Sequence, residues 1–416
     1  MDRGRSGEMY EKTKKVTPGG VSSPVRRFDP YPIFFDSGSG CNIKDIDGND
    51  YIDLCMAYGP LILGHSPERV ISAVKEQLSK GTVFGAPSLP EYELIEAVRK
   101  RVPCAEMVRL ANSGTEATMH AIRLARGYTS RNTIVKTDSG FHGSHDSVLI
   151  KNNGNYRGVP SDTSDNTKQV QFNDISQLDK VLSKEDVAAV IIEPVQGNMG
   201  IILPEKGYLE AVRKTTEQYG TVLIFDEVIT GFRLAAGGAQ EIYGVTPDMA
   251  TYGKIMGGGF PIGALAGKRR IMELAAPAGD VYMAGTFSGN PVTATAGVAA
   301  LTQMSENNNY DRLNRNTATL LHAIRDSLTD RKINASLVGT GSMFQVFFGI
   351  EAPRNSETAK NADTKLYGKF FRSLLDLGIY LPPSQFEVNF TSLAHDPVNL
   401  KKVSDAFDTA LKGLVG

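Results

Sequence analysis

A lysine at position 254 stands in Thr251-Tyr-Gly-Lys254-Ile-Met-Gly-Gly-Gly-Phe-Pro-Ile-Gly263, between an expected strand and a glycine cluster. An amine attacks an aldehyde only when unprotonated, and burial or nearby positive charge lowers a lysine pKa. Consecutive glycines let backbone pass close to a planar ring or a partner subunit. A lone lysine is ordinarily a surface residue, but these surroundings point the other way. Upstream, Leu223-Ile-Phe-Asp226-Glu227-Val-Ile-Thr-Gly-Phe-Arg233 reads as an apolar strand ending in two carboxylates. A carboxylate at the C-terminal edge of a parallel strand lies where α/β sheets bind ligands. Asp226 precedes Lys254 by 28 residues, enough for one crossover and the next strand. A magnesium-binding acid of a nucleotide enzyme would need a GxxxxGKS or GxxxxGKT loop, and the chain has none.

A buried amine paired with an acid suits pyridoxal 5'-phosphate (PLP). Its aldehyde takes a lysine, and a protonated ring nitrogen makes it an electron sink. Four further segments bear on that reading. Ala111-Asn-Ser113-Gly114-Thr115-Glu116 runs from a strand into a helix, whose N-terminus suits a phosphate; a plain Ser/Thr cap is the other reading. Gly140-Phe141-His142-Gly143 offers an aromatic to stack on the ring, or a core phenylalanine beside a turn histidine. Ala284-Gly-Thr286-Phe-Ser-Gly-Asn-Pro291 offers hydroxyls for a phosphate, and is equally consistent with a turn. Glu193-Pro-Val-Gln-Gly-Asn198 follows an apolar strand, so its polar groups lie at the same sheet edge.

The elements that must position these residues alternate between strand and helix. Val108–Ala111, Thr133–Lys136, Ala188–Glu193, Val222–Asp226 and Ala264–Gly267 read as strands, several of them continuous apolar runs suited to burial on both faces. Helical stretches over Glu116–Tyr128 and Gly207–Tyr219 fall between them, which predicts an α/β domain with a mainly parallel sheet. Before it, Phe34–Leu54 reads as a small antiparallel hairpin with a turn at Asp47-Gly48-Asn49. A helix is expected from Ser66-Pro67, with Ser66 as cap and Val70, Ile71, Val74 and Leu78 on one face. Beyond about Ala300 come a long helix, strands around Ala335–Phe348, a helix near Thr364–Leu377 and a closing helix, a smaller α+β domain. The expected division is residues 1–60 packing with the small domain, 61–300 as the large domain and 301–416 as the C-terminal domain. Asn152–Lys168, rich in Gly, Asn, Ser and Asp, reads as a solvated linker or a mobile lid.

With 416 residues, the chain exceeds the usual size of a single core. A net charge of −1 gives no global attraction to nucleic acid or an anionic membrane, so neither is expected as a partner. Three scattered cysteines, Cys41, Cys55 and Cys104, form no CxxC pair, which argues against a metal site and for reduced thiols in the cytoplasm. No apolar run approaches the ~18 residues of a membrane span.

Together the segments resemble class III aminotransferases, fold-type I PLP enzymes, over nearly the whole chain. Asp-Glu-Val-x-Thr-Gly-Phe-Arg followed by Gly-Lys-x-x-Gly-Gly-Gly carries the likeness. Pro18-Gly-Gly-Val-Ser-Ser23-Pro-Val-Arg26, Gly237–Glu241, Met272–Gly279 and Pro383–Glu387 resemble the glutamate-1-semialdehyde 2,1-aminomutase family within that group. The resemblance implies a large domain on a mainly parallel, seven-stranded type of sheet, and a homodimer. It implies Lys254 as Schiff-base lysine and proton shuttle, and Asp226 on the pyridine nitrogen. Ser113, Gly114, Thr115 and Thr286 would serve the phosphate, Thr286 from across the dimer interface. Phe141, His142, Asn198 and Val228 would lie about the ring. Ser23 and Arg26 would hold the substrate carboxylate, a guanidinium being suited to clamp one. Tyr58 would line the substrate side and Glu387 would lie near the substrate amines. Two positions depart from the family: Phe141 stands where Tyr is usual and Tyr58 where Trp is usual. Both lie on the substrate side.

The implied reaction is intramolecular amine exchange, converting glutamate 1-semialdehyde to 5-aminolevulinate for tetrapyrrole synthesis. It would start from pyridoxamine 5'-phosphate and hold 4,5-diaminovalerate until the second half is complete. An ω-aminotransferase with a separate keto-acid acceptor is the rival within the fold. A non-catalytic protein that kept the fold is the rival outside it, and retention of Lys254 and Asp226 argues against that.

Overall fold

Strands β1 (Phe35–Ser39), β2 (Asn42–Asp45) and β3 (Asp50–Asp53) form an antiparallel meander, one strand more than the hairpin expected from sequence. The structure, a computed structural model, describes residues 1–151, 154–184 and 186–414. Helix α1 (Gly4–Thr13) precedes the meander, and α2 (Glu68–Lys80) and α3 (Leu89–Arg99) follow it. Ser66 does not cap α2. It has a left-handed φ of 49°, and its hydroxyl donates to the Gly38 carbonyl. Val70, Val74 and Gln77 are the buried positions of α2, whereas Leu78 is half exposed.

The central sheet contains β4 (Met107–Ala111), β5 (Thr133–Thr137), β6 (Thr167–Val170), β7 (Val187–Ile192), β8 (Val222–Asp226), β9 (Met249–Gly253) and β10 (Gly263–Gly267). Their order is β4-β10-β9-β8-β7-β5-β6. Strand β10 runs antiparallel to both neighbours, and the β9–β8–β7–β5–β6 pairings are parallel. The segment from Lys254 to Ile262 is too short for the crossover that a parallel partner of β9 would need, so β10 must return antiparallel. Helix α4 (Gly114–Thr129) packs Ala121, Ile122, Leu124 and Ala125 on one sheet face, and α5 (Ile175–Leu182) and α6 (Tyr208–Gln218) pack on the other. Strands β7 and β8 are buried at every residue, as expected of strands covered on both faces.

The Asn152–Lys168 stretch carries more structure than a linker. Gly154–Asn155 pairs with Ile150–Lys151, Ser161–Asp165 is helical, and β6 starts at Thr167. Asn152 and Asn153 lie outside the described residues.

Helices α7 (Pro291–Met304) and α8 (Asn309–Asp330) lead into β11 (Ala335–Thr340) and β12 (Met343–Phe348), then α9 (Thr364–Asp376), β13 (Ile379–Tyr380), β14 (Asn389–Phe390) and α10 (Pro397–Lys412). Strand β13 pairs parallel with β3, so the N-terminal meander is completed by residues from the far end of the chain. One apolar cluster joins Ile43, Tyr51 and Leu54 to Phe344, Phe370 and Phe407. The three cysteines are buried and unpaired. Among the described residues, no group of three or more His, Cys, Asp or Glu is placed to hold a metal. No helix among them is long and apolar enough to cross a membrane.

Candidate active site

A cavity of about 810 Å³ opens at the edge of the sheet where β5, β7, β8 and β9 end. Ser23, Tyr58, Ser113, Gly114, Thr115, Phe141, His142, Asn198, Asp226, Val228, Lys254 and Glu387 all line it. Two expected residues do not. Arg26 is exposed on the turn Pro24–Arg26, with Ser23 and Val25 reaching the cavity instead. Thr286 is exposed in a segment whose neighbours Tyr282 and Phe287 are exposed as well.

Asp226 closes β8 and is almost fully buried. One carboxylate oxygen lies 2.8 Å from His142 Nδ1. The other accepts from the Val228 N–H and the Thr251 hydroxyl, both at 3.1 Å. Burial lowers the His142 pKa despite the nearby carboxylate, so the imidazole is neutral, with its proton on Nδ1 to satisfy Asp226. Its Nε2 is buried without a hydrogen-bond partner among the described residues. The adjacent Glu227 has a different job. It accepts from the Thr230 hydroxyl, the Ala239 N–H and the Gln240 amide. A Cβ on Gly238, at φ +71°, would stand 2.3 Å from a Glu227 oxygen, which explains the glycine in the Gly237–Glu241 motif.

Lys254 begins the 3₁₀ turn Lys254–Gly257 with a left-handed φ of 46°. Burial lowers its pKa to about 8, opposed by Glu193, Glu387 and Asp226 and assisted by Arg233. Glu387 is pushed up to about 7 by burial, with Lys254 acting against the shift. Glu193 is also raised to about 7, by burial and then by Asp226, although it accepts from Phe141 N–H, Gly197 N–H and the Asn198 amide at 2.9 Å each. Glu193 thus holds both the aromatic and the asparagine segments.

Ser113 caps α4 by accepting from the Glu116 N–H at 3.2 Å. The first N–H groups of a helix have no intrahelical acceptor, and those of Gly114 and Thr115 sit at the cavity. Gly263 of β10 approaches closely here: a Cβ on it would lie 2.0 Å from the Ser113 carbonyl oxygen. Val228 packs on Gly114, where a Cβ would meet its methyls at 3.1–3.2 Å.

Lys136 and Tyr156 are among the lining residues that sequence reasoning missed. Lys136 is buried near the end of β5, donates to the Val148 carbonyl, and has its pKa lowered by burial to about 8. Its place at the C-terminal end of a parallel strand was the available signal. Tyr156 lines the cavity from the Asn152–Lys168 stretch, where composition gave no reason to single it out.

The class III aminotransferase model matches residues 25–391. The chain belongs to the class III aminotransferases. Its relatives include the glutamate-1-semialdehyde 2,1-aminomutase of Methanothermobacter thermautotrophicus, 50% identical over 99% of both chains, and that of Methanococcus vannielii, 49% identical over 99% of this chain and 98% of the other. Among solved structures it is similar to an ω-transaminase from Sphaerobacter thermophilus, at 31% identity and a TM-score of 0.93 over 99% and 98% of the two chains. A glutamate-1-semialdehyde aminomutase from Pseudomonas aeruginosa in complex with PMP shares the fold, with a TM-score of 0.91 at 23% identity over 99% and 95% of the two chains.

PLP is the cofactor of this class III aminotransferase, and the cavity fits it. A buried carboxylate oriented by a neutral histidine suits a ring nitrogen, a helix N-terminus suits a phosphate, and a lysine with a depressed pKa suits an aldehyde.

Proposed function

We propose that the chain converts glutamate 1-semialdehyde to 5-aminolevulinate by intramolecular amine exchange. What carries the reading is the meeting of Lys254, Asp226 with His142, and Glu387 in one cavity, on a chain half identical end to end to a glutamate-1-semialdehyde aminomutase. Asp226 would hold the cofactor's ring nitrogen, and the N–H groups of Gly114 and Thr115 with Ser113 its phosphate. Asn198, Phe141 and Val228 would border its ring. When bound, the cofactor supplies an aldehyde or amine for exchange and an electron sink for the carbon being deprotonated.

The protein's own part is positioning and proton movement. Lys254 Nζ, unprotonated above about pH 8, would move a proton between the substrate carbon and the cofactor in each half of the reaction. Glu387, protonated below about pH 7, faces the substrate amines as a hydrogen-bond donor and above that as an acceptor. Ser23 meets the substrate carboxylate; Arg26 joins it only if its side chain turns inward from the exposed position. Tyr58 borders the substrate, its hydroxyl 2.8 Å from the Val25 carbonyl, which fixes the Ser23–Arg26 turn. Tyr156 borders the cavity and would help retain the diamine between the two halves of the reaction.

We further propose a cytoplasmic homodimer in which Thr286 completes the phosphate site of the other subunit. The exposed Phe84, Leu89, Tyr92, Tyr282 and Phe287 support such an interface. Each subunit would comprise an N-terminal segment (1–60), a cofactor domain (61–300) and a C-terminal domain (301–416).

Incubation with glutamate 1-semialdehyde alone tests the function. 5-Aminolevulinate forming without a keto acid is the expected result. Turnover only with an added acceptor makes the chain an ω-aminotransferase.

A further inference from the structure

Arg233 is fully buried, yet the hydrogen-bond acceptors it meets among the described residues are all neutral. Its guanidinium donates to the Gly59 carbonyl, to the Ser342 hydroxyl at 2.8 Å and to the Thr391 carbonyl at 3.3 Å. It lies 4.7 Å from the centroid of the Phe390 ring, and its Nε has no partner among the described residues. A buried cation without a counter-ion is costly, and neutral acceptors offset only part of that cost. Apolar residues of similar volume would fill the same space more cheaply.

The segment it grips is itself strained. Met56, Ala57 and Tyr58 have φ of 45°, 54° and 64°, three consecutive non-glycine residues in the left-handed region, followed by Gly59 at 122°. Such a run persists only where its surroundings over-determine it. At one end, the Asp53 carboxylate accepts from the Cys55 and Met56 N–H groups at 2.8 and 2.9 Å. At the other end, the Gly59 carbonyl is held by Arg233. A Cβ on Gly59 would lie 3.3 Å from Lys254 Cδ and 3.5 Å from Phe390. The turn therefore forms the wall along which the Lys254 side chain lies, and Tyr58 projects from it into the cavity.

We propose that Arg233 is a positioning residue of the active site: it clamps the strained Met56–Gly59 turn, and with it Tyr58, against Lys254 and Phe390. Its charge acts on the same amine. Lys254 faces Glu193, Glu387 and Asp226, all of which favour its protonation, and Arg233 is the cation opposing them. The inference rests on Lys254 being the reacting amine.

The full-length enzyme in its pyridoxamine 5'-phosphate form tests it, because the Lys254 amine is then free. Acetylation of Lys254 by acetic anhydride across a pH series, read by peptide mass spectrometry, gives the midpoint of its deprotonation. In Arg233→Met that midpoint should rise by about one pH unit. Arg233→Lys keeps the charge but cannot span three acceptors. It should keep the parent midpoint while KM for glutamate 1-semialdehyde rises about tenfold and kcat changes far less. If Arg233→Met does not fold, Arg233→Lys decides alone: a parent KM overturns the proposal. A parent midpoint in folded Arg233→Met overturns it too. Lys254→Ala separates the two layers. If that variant still takes up PLP covalently, the reading of Lys254 falls; if uptake is lost while both Arg233 variants match the parent, only the inference about Arg233 falls.

Discussion

Buried Lys136 and partly buried Lys254 reach one cavity, and desolvation depresses both to about pKa 8, so basicity alone does not choose between them. Surroundings do. Lys136 is engaged by the Val148 carbonyl, whereas Lys254 faces the carboxylates that border the substrate region. Borohydride reduction of the PLP form followed by peptide mapping should therefore find the cofactor on Lys254; label on Lys136 would reverse the assignment. Because the Lys254 amine must be free to move a proton, kcat/KM should climb as pH rises towards about 8. A second pH effect concerns stability. Glu193 binds its proton more tightly in the folded chain than its ordinary value of 4.5, so folding loses stability as pH rises from there to about 7 and no more above it. Melting temperatures of the cofactor-free protein at pH 5 and pH 8 should show this decline. Glu193→Gln should make it smaller, leaving the share of Glu387, which shifts in the same direction. An unchanged decline would mean that Glu193 is ionised at both pH values.

At the scale of elements, Asp226 and Lys254 were legible because their strands are apolar runs that stop abruptly at a polar group, and β8 has the bounds read from sequence. Strand β6 was not legible. Its Thr167-Lys-Gln-Val170 is mostly polar, and only pairing with β5 makes it a strand. The cap at Ser66 failed because a tertiary contact, the Gly38 carbonyl, claimed the hydroxyl. The different fates of Asp226 and Glu227 were hidden as well, since neighbours at a strand end point to opposite sides and only the fold shows which side is the cavity. Close backbone approach is another feature no periodicity reveals. Gly263→Ala would force β10 away from Ser113 and tilt the start of α4. PLP affinity should fall at least about tenfold while most of the secondary structure survives, measured by equilibrium titration and circular dichroism. Unchanged affinity would show that the helix start is free to shift.

At the scale of the whole molecule, the exposed Tyr282 and Phe287 flank a threonine that does not reach the cavity of its own chain. Changing both aromatics to Glu should give a monomer by sedimentation and weaken PLP binding together. Monomers with full affinity would separate Thr286 from the phosphate. The pairing of β3 with β13 has a bearing on synthesis. Ile52 meets Ile379, so the first sheet to be made lacks an edge partner until some 330 further residues have been translated. At ribosomal speeds of roughly 5–20 residues per second, that is a wait of tens of seconds. During it, the apolar faces of Ile43, Tyr51 and Leu54 have no permanent cover, and the nascent chain depends on chaperones or provisional contacts to keep them from other nascent chains.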